Sequence, residues 1–179
     1  MPTFVVRPAI SSDIPRLVQL DHGYSTDHVW QMAHQPGQAG VEVAFREVRL
    51  PRPMRVGYPR PVERLVDEWT DRSLVLIGES DERPAGYLAM APAPSPDAQW
   101  ITDLVVDPAF RRQGLAQRLL GEAIGWARAR SQSRLFVEMQ SKNHPAIQLV
   151  QKMGFAFSGY SDFYYPNEDI ALFFSFALS

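Results

Sequence analysis

The chain has 179 residues, no cysteine and a formal net charge of −2. Those values exclude disulfides and a cysteine nucleophile, and they leave no overall electrostatic case for binding nucleic acid or a membrane. With 45% apolar and 21% charged residues, a chain this long buries about two-thirds of its unfolded surface, and a single domain spanning 1–179 is expected. The opening Met-Pro-Thr-Phe-Val-Val-Arg-Pro lacks the charged and then apolar layout of a signal peptide. No apolar run reaches the ~20 residues of a membrane helix. A soluble cytoplasmic protein is the expectation.

The first element is a short strand, Phe4–Ala9. Ser11, Ser12 and Asp13 are N-cap candidates for a helix running to about Leu20, with Ile14, Leu17 and Val18 on one face. Residues 21–70 are the least regular part and read as an irregular insertion. Within them Asp27–Met32 is expected to be helical and Gln35–Gly40 a loop. Val41–Leu50 alternates like a strand. Pro51–Pro61 is turn-rich and unsuited to a central strand, and Val62–Thr70 has the pattern of a short helix.

From Ser73 the pattern is clearer. Leu74–Glu79 reads as a strand, Ser80–Pro84 as a turn, and Ala85–Ala91 as the antiparallel partner. After the loop Pro92–Asp97, the strand Trp100–Val106 leads into a helix of about Arg111–Arg130. Its Leu115, Leu119, Ala123, Trp126 and Ala127 form one apolar stripe. The next strand, Arg134–Met139, runs parallel to the previous one because a helix crosses between them. A short helix, Pro145–Met153, stops at Gly154, another strand follows Phe155, and Ile170–Leu178 closes the chain. The fold class is α/β (α+β), with an antiparallel start and a parallel βαβ centre in one mixed sheet.

The strand-to-helix junction at Leu104–Ala116 carries the most chemistry. A helix start leaves several backbone N–H groups without intrahelical partners, aimed at one spot. With the positive end of the helix dipole they make an anion site suited to phosphate. Gly114 permits close approach of backbone to ligand, and Ala116 does not obstruct it. Arg111 and Arg112 add charge and forked donors. The first two glycines of the dinucleotide fingerprint are missing, and no Gly-Lys-Ser/Thr follows as in a Walker A loop.

The pattern Arg111-x-x-Gly114-x-Ala116 resembles the pyrophosphate-binding motif of the GNAT superfamily of N-acetyltransferases. A second block, Leu135–Asn143 followed by Pro145–Phe155, resembles that superfamily's strand, asparagine, helix and terminal Gly-Phe. The resemblance covers residues 73–179 well and the first strand and helix loosely. It implies a mostly antiparallel sheet splayed between its fourth and fifth strands, with the pantetheine arm of coenzyme A in the gap. Acetyl-CoA is then the co-substrate. The backbone of Leu104, Val105 and Val106 would serve that arm, with one N–H facing the forming oxyanion. Arg111, Arg112, Gln113, Gly114, Leu115, Ala116 and Gln117 would serve the pyrophosphate. The Asn143 amide would bond the arm, although an asparagine before His144-Pro145 also suits a helix cap.

An amine must attack the thioester as the neutral base, and with reference pKa values of ~8 to ~10.4 its proton needs an acceptor. Glu138, five residues before Asn143, is the first candidate. A glutamate at the matching place is the base in the ribosomal-protein-alanine N-acetyltransferases, which this segment resembles. Asp103 is the second candidate, sharing a face with Val105 on a two-residue period. The superfamily's acid, a tyrosine after the helix leucine, is replaced here by Val150, so either another tyrosine or solvent protonates the thiolate, or the activity is weak. Tyr160, Tyr164 and Tyr165 are the replacements at hand, with Tyr164 and Tyr165 ranked first. Their segment resembles the tail of N-terminal acetyltransferases and of streptothricin-type acetyltransferases.

The acceptor is accordingly expected to be a peptide N-terminus or a small amine, acetylated by direct attack in a ternary complex. A non-catalytic acyl-CoA-binding or regulatory module is the alternative, motivated by Val150. The arginines at 46, 49, 52, 55, 60 and 64 suit a solvated hairpin face or a positive rim to the substrate cleft. His22, His28, His34 and His144 show no metal-ligand spacing on one element, so no metal is predicted. A monomer or homodimer without direct nucleic-acid contact is expected.

Overall fold

The structure, a computed structural model, describes residues 3–37 and 39–178, with the backbone alone at 34. Met1 and Pro2 of the opening segment, and position 38 of the expected Gln35–Gly40 loop, lie outside the described residues. Strand β1 (Val5–Pro8) is followed by helix α1 (Ile14–Leu17). The helix stops three residues before the expected Leu20. Gln19 and Leu20 bond back only three residues, to the carbonyls of Arg16 and Leu17, so the chain tightens into turns. The Asp13 side chain does not cap α1. Its carboxylate accepts the Ile10 N–H at 2.9 Å and both terminal nitrogens of Arg7 at 2.7 and 3.0 Å.

The largest departure from expectation lies in 21–70. Asp27–Met32 is not helical but belongs to strand β2 (Tyr24–Gly37), paired antiparallel with β3 (Gly40–Val56). A short uncapped helix is marginal alone, whereas the alternating Val41–Leu50 run needs a strand partner, and pairing decides. The segment is therefore a long two-stranded hairpin rather than an irregular insertion. Register breaks between Thr26 and His28, whose partners are Met54 and Arg49. Residues 50–53 thus bulge opposite Asp27, and the prolines at 51 and 53 fall where no ladder bond is needed. Helix α2 (Arg64–Glu68) follows, inside the expected Val62–Thr70.

The main sheet contains β4 (Leu74–Ser80), β5 (Arg83–Pro92), β6 (Ala98–Val106), β7 (Arg134–Gln140), β8 (Ala156–Ser161) and β9 (Ala171–Ala177). Its order is β1-β4-β5-β6-β7-β9-β8, and only the β6–β7 pair is parallel. Helices α3 (Leu115–Ala129) and α4 (His144–Lys152) pack on one face, through Leu115, Leu119, Leu120, Ile147 and Val150. On the other face α1 and α2 bury Ile14, Leu17 and Leu65 against Val75, Tyr87 and Val105. Trp126, expected in the α3 stripe, is only partly buried.

Two local features shape the centre. Gly78 and Gly86 are cross-strand partners, and a Cβ on either would lie 2.5 Å from Leu115 Cδ1 or the Val105 carbonyl. The notch they leave admits Leu115 and draws the start of α3 down onto the sheet. In β6, Ala89 pairs with Asp103 but Met90 with Ile101, so Thr102 is an extra residue. This bulge puts Ile101 on the α3 face while Val105 faces α1. The β6–β7 ladder runs from Ala98–Arg134 to Ile101–Val137 and ends there. Beyond it the fourth and fifth strands in spatial order part company.

Candidate active site

The parted strands open into a cleft of about 590 Å³, lined by Thr102–Val106 on one side and Val137–Gln140 on the other. Its mouth is the junction between β6 and α3. Asp107 accepts the Ala109 N–H at 3.0 Å, fixing a short 3-10 turn over Pro108–Phe110. The helix then begins at Leu115, not at Arg111. Arg112 and Gly114 are left-handed, with φ of 60° and 89°, and break the helical path. The first α-helical bond at this end is Arg118 N–H to the Gly114 carbonyl. The N–H groups of Leu115, Ala116 and Gln117 therefore precede the ladder and have no intrahelical acceptor. A Cβ built on Gly114 meets nothing within 4 Å, so open space lies where an anion would approach. This junction fits a pyrophosphate.

The expected phosphate ligands differ in what they offer. Leu115 is buried in the glycine notch and presents only its backbone. The Arg111 guanidinium is already engaged: it donates to the carbonyls of Val106 at 2.7 Å, Gly23 at 2.6 Å and Asp21 at 3.3 Å. It ties the loop before β2 to the end of β6. Arg112 is exposed at the mouth, and Ala116 and Gln117 line it, whereas Gln113 is exposed outside the lining with its Nε2 donating to the Ala109 carbonyl at 3.1 Å. Leu104, Val105 and Val106 line the β6 side. Asn143 lines the opposite wall and caps α4, its Oδ1 accepting the Ala146 N–H at 3.2 Å. Its Nδ2 has no partner among the described residues.

Both predicted carboxylates line the cleft. The Glu138 side chain is 2% exposed, and three donors hold it. Arg60 pairs with Oε1, while Trp100 Nε1 and the Tyr164 hydroxyl donate to Oε2 at 2.6 and 2.7 Å. Arg60 also lies over the Tyr165 ring at 5.0 Å and the Tyr164 ring at 5.9 Å. Asp103 accepts the Tyr58 hydroxyl on Oδ1 and the Thr102 hydroxyl, 2.8 Å away, on Oδ2. Behind it His22 sits between the Leu20 carbonyl and the Tyr87 hydroxyl, at 2.7 and 3.0 Å. Burial holds that imidazole below its usual range, hence neutral near pH 7.

The two leading tyrosines part in role. Tyr164 is half-exposed and spends its hydroxyl on Glu138. Tyr165 is 4% exposed and lines the cleft, and its hydroxyl has no hydrogen-bond partner among the described residues. Burial pushes that phenol well up, so it stays protonated. Tyr160 lies away from the cleft, edge-on to Phe45. Val150 lines the cleft and is fully buried. The loop bearing both tyrosines is fixed by Asp169, whose carbonyl accepts the Tyr164 and Tyr165 N–H groups at 3.2 and 3.3 Å. Its carboxylate takes Gln140 Nε2 at 2.7 Å and Lys142 Nζ at 2.5 Å.

Sequence reasoning missed Tyr24, Tyr58, Trp100 and His22, and placed Arg60 only within a cluster read as a solvated face or a positive rim to the cleft. Tyr24 donates to Gln140 at 2.8 Å, and burial raises its phenol as well. No spacing signal marks these residues, because four of them sit in or beside the hairpin and reach the site only through tertiary packing. The arginine cluster splits similarly. Arg46, Arg49 and Arg52 are exposed, Arg64 pairs with Glu68, Arg55 lines the cleft while paired with Asp21, and Arg60 enters it to pair with Glu138. Among the described residues, no helix is long and apolar enough to cross a membrane.

The comparisons with known proteins agree with this geometry. The model of the acetyltransferase (GNAT) family matches residues 43–155. Streptothricin acetyltransferase of Streptomyces lavendulae is 28% identical over 163 residues, which are 88% of this chain and 84% of that protein. Ribosomal protein bS18-alanine N-acetyltransferase of Haemophilus ducreyi is 37% identical over 73 residues, 41% of this chain and 50% of that one. A solved structure from Bacillus anthracis, in complex with acetyl coenzyme A, has TM-score 0.75 and 17% identity over 98% of this chain and 99% of that chain, a likeness of fold. The parted strands, the left-handed Gly114 and the unpaired helix start are thus those of the family the chain belongs to: it is a GNAT N-acetyltransferase with acetyl-CoA as its acyl donor.

Proposed function

We propose that the protein acetylates a small cationic amine by direct attack on acetyl-CoA in a ternary complex. The observation that carries this reading is the buried Glu138 carboxylate on the cleft floor, held by Arg60, Trp100 and Tyr164 beside the parted strands. With Asp103 it makes two anionic groups facing one cleft, suited to an incoming ammonium. On the acceptor side Tyr24, Tyr58 and Tyr165 line the cleft around the two carboxylates. A concave site with convergent polar groups and aromatic walls favours a small molecule over an extended peptide. The likeness to streptothricin acetyltransferase spans most of both chains, whereas the bS18-alanine likeness stops at 41% of this one.

In this reading the backbone of Leu115–Gln117 and left-handed Gly114 bind the pyrophosphate, with Arg112 adding charge at the mouth. The free backbone groups of Leu104–Val106 and the Asn143 amide hold the pantetheine arm. When bound, acetyl-CoA supplies the activated thioester carbonyl. Glu138 accepts the amine proton through Oε1 as the substrate ammonium takes the place of the Arg60 guanidinium. The ordered Tyr164 and Trp100 keep Oε2 fixed meanwhile. As the C–N bond forms and the C–S bond breaks, Tyr165 passes its hydroxyl proton to the leaving thiolate and is restored by the second proton that the acylated nitrogen loses, so no buried phenolate is left.

The test is a pair of shape-preserving substitutions. Glu138→Gln keeps the Arg60, Trp100 and Tyr164 contacts sterically but removes proton acceptance. It should lower turnover about 10²-fold or more at unchanged acetyl-CoA affinity. Asp103→Asn should cost less. If Asp103→Asn shows the large loss and Glu138→Gln turns over near normally, Asp103 is the base and this assignment is reversed.

A further inference from the structure

Away from the cleft, Asp27 and His28 on β2, Glu47 on β3 and His144 at the start of α4 meet on one surface seam. One ligating atom each of Asp27, His28 and His144 lies within 4.8 Å of the others. His28 Nδ1 is 2.8 Å from Asp27 Oδ1, and His144 Nε2 is 3.0 Å from Glu47 Oε2. The two imidazoles stack with centroids 4.8 Å apart and planes 26° apart. Both rings are partly buried, while the two carboxylates are exposed.

We infer that these four side chains form a binding site for a divalent first-row transition cation, best matched by zinc, joining the β2–β3 hairpin to α4. Zinc takes imidazole nitrogen and carboxylate oxygen at about 2.0–2.2 Å in a tetrahedron, whose ligand atoms stand about 3.3–3.5 Å apart. The two contacts of 2.8 and 3.0 Å are already near that edge length, so side-chain rotation closes the rest. Two carboxylates balance the cation's charge and outweigh the unfavourable positive end of α4. The two imidazoles discriminate against magnesium and calcium, which prefer oxygen alone.

The ligands come from three elements and span residues 27 to 144 of the chain, which is why no spacing pattern on one element reveals them. Without a metal, the seam relies on exposed pairs worth little individually. A bound cation would replace them with coordinate bonds, next to Asn143, Pro145 and Ala146 of the cleft wall. The site stands on its own geometry and does not depend on the identity of the acceptor amine.

Calorimetric titration of zinc chloride into untagged, chelator-treated protein tests the inference. One equivalent should bind, and His28→Gln and His144→Gln should each weaken binding at least tenfold while still binding acetyl-CoA as the wild type does. Cobalt(II) added to the wild-type protein should give the intense visible absorption of a tetrahedral site, a readout that needs no variant. Absence of zinc binding, wild-type affinity in the double variant, or magnesium bound as tightly as zinc would each overturn it.

Discussion

At the scale of single residues, the site divides carboxylates and phenols by their neighbours rather than by type. Tyr164 and Tyr165 are adjacent, with rings edge-on at 5.0 Å, yet one hydroxyl is bound to Glu138 and the other is free in the cleft. Tyr165→Phe removes only the hydroxyl that would protonate the thiolate. Turnover should fall about tenfold or more with acetyl-CoA affinity retained. Tyr164→Phe should act differently, by loosening Glu138, and should alter the pH profile of turnover as well as its height. Stopped turnover assays over pH distinguish the two, and equal, pH-independent behaviour of both variants would contradict the division. Val150, where the sequence resemblance implies a tyrosine, is packed in the core, so Val150→Tyr overfills it and destabilises the fold.

At the scale of elements, the junction between β6 and α3 is the part on which donor binding is proposed to depend. Gly114→Val forces a β-branched residue to φ near 89° and fills the open space before the helix start. Acetyl-CoA affinity by calorimetry should drop at least tenfold in a protein that remains folded. Unchanged affinity would remove the junction from the donor site. The opposite end of the sheet is held by Arg7, which bridges Asp13 and Glu79. Hydrogen bonds from Arg7 hold the Asp13 carboxyl below its usual range. Its stabilisation is therefore complete above the unfolded-state value of about 3.9 and is lost as pH falls through the lower folded value. Asp13→Asn should cost about 1–3 kcal/mol at pH 7. In urea unfolding, the gap from wild type should close on acidification below pH 4, and a gap constant with pH would contradict the linkage.

At the scale of the whole molecule, the sequence from Ser73 onward was legible because periodicity and punctuation agree there. Strands end at Asp107-Pro108 or a glycine, and α3 carries an unambiguous apolar stripe. The hairpin was not legible. Asp27–Met32 has no strand alternation of its own, and only its partner across the turn decides its state. The Thr102 bulge was hidden too, since one extra residue leaves no mark in composition, although Asp103 was still read onto the face of Val105. Glu138, Asn143 and most of the residues named in 104–117 reach the cleft lining, and they could be named because they lie in motifs continuous in sequence. Tyr24 and Tyr58 were not, because they reach the cleft from β2 and the segment after β3, distant in the chain, and Arg60 was named only within the arginine cluster.

The central claim, transfer of acetyl from acetyl-CoA to a small cationic amine by direct attack, is tested most directly by following product and thiol together. Purified protein is mixed with acetyl-CoA and, separately, a streptothricin-class amine and a peptide with N-terminal alanine, with free thiol and acceptor mass read in the same reaction. The account predicts thiol release only when acceptor is present, matched by one acetyl group on the small amine, with the peptide a poorer substrate and no acetyl left on the protein. Acetyl-CoA bound without thiol release for any amine would contradict it and leave a binding module, and preferential acetylation of the peptide would contradict the choice of acceptor.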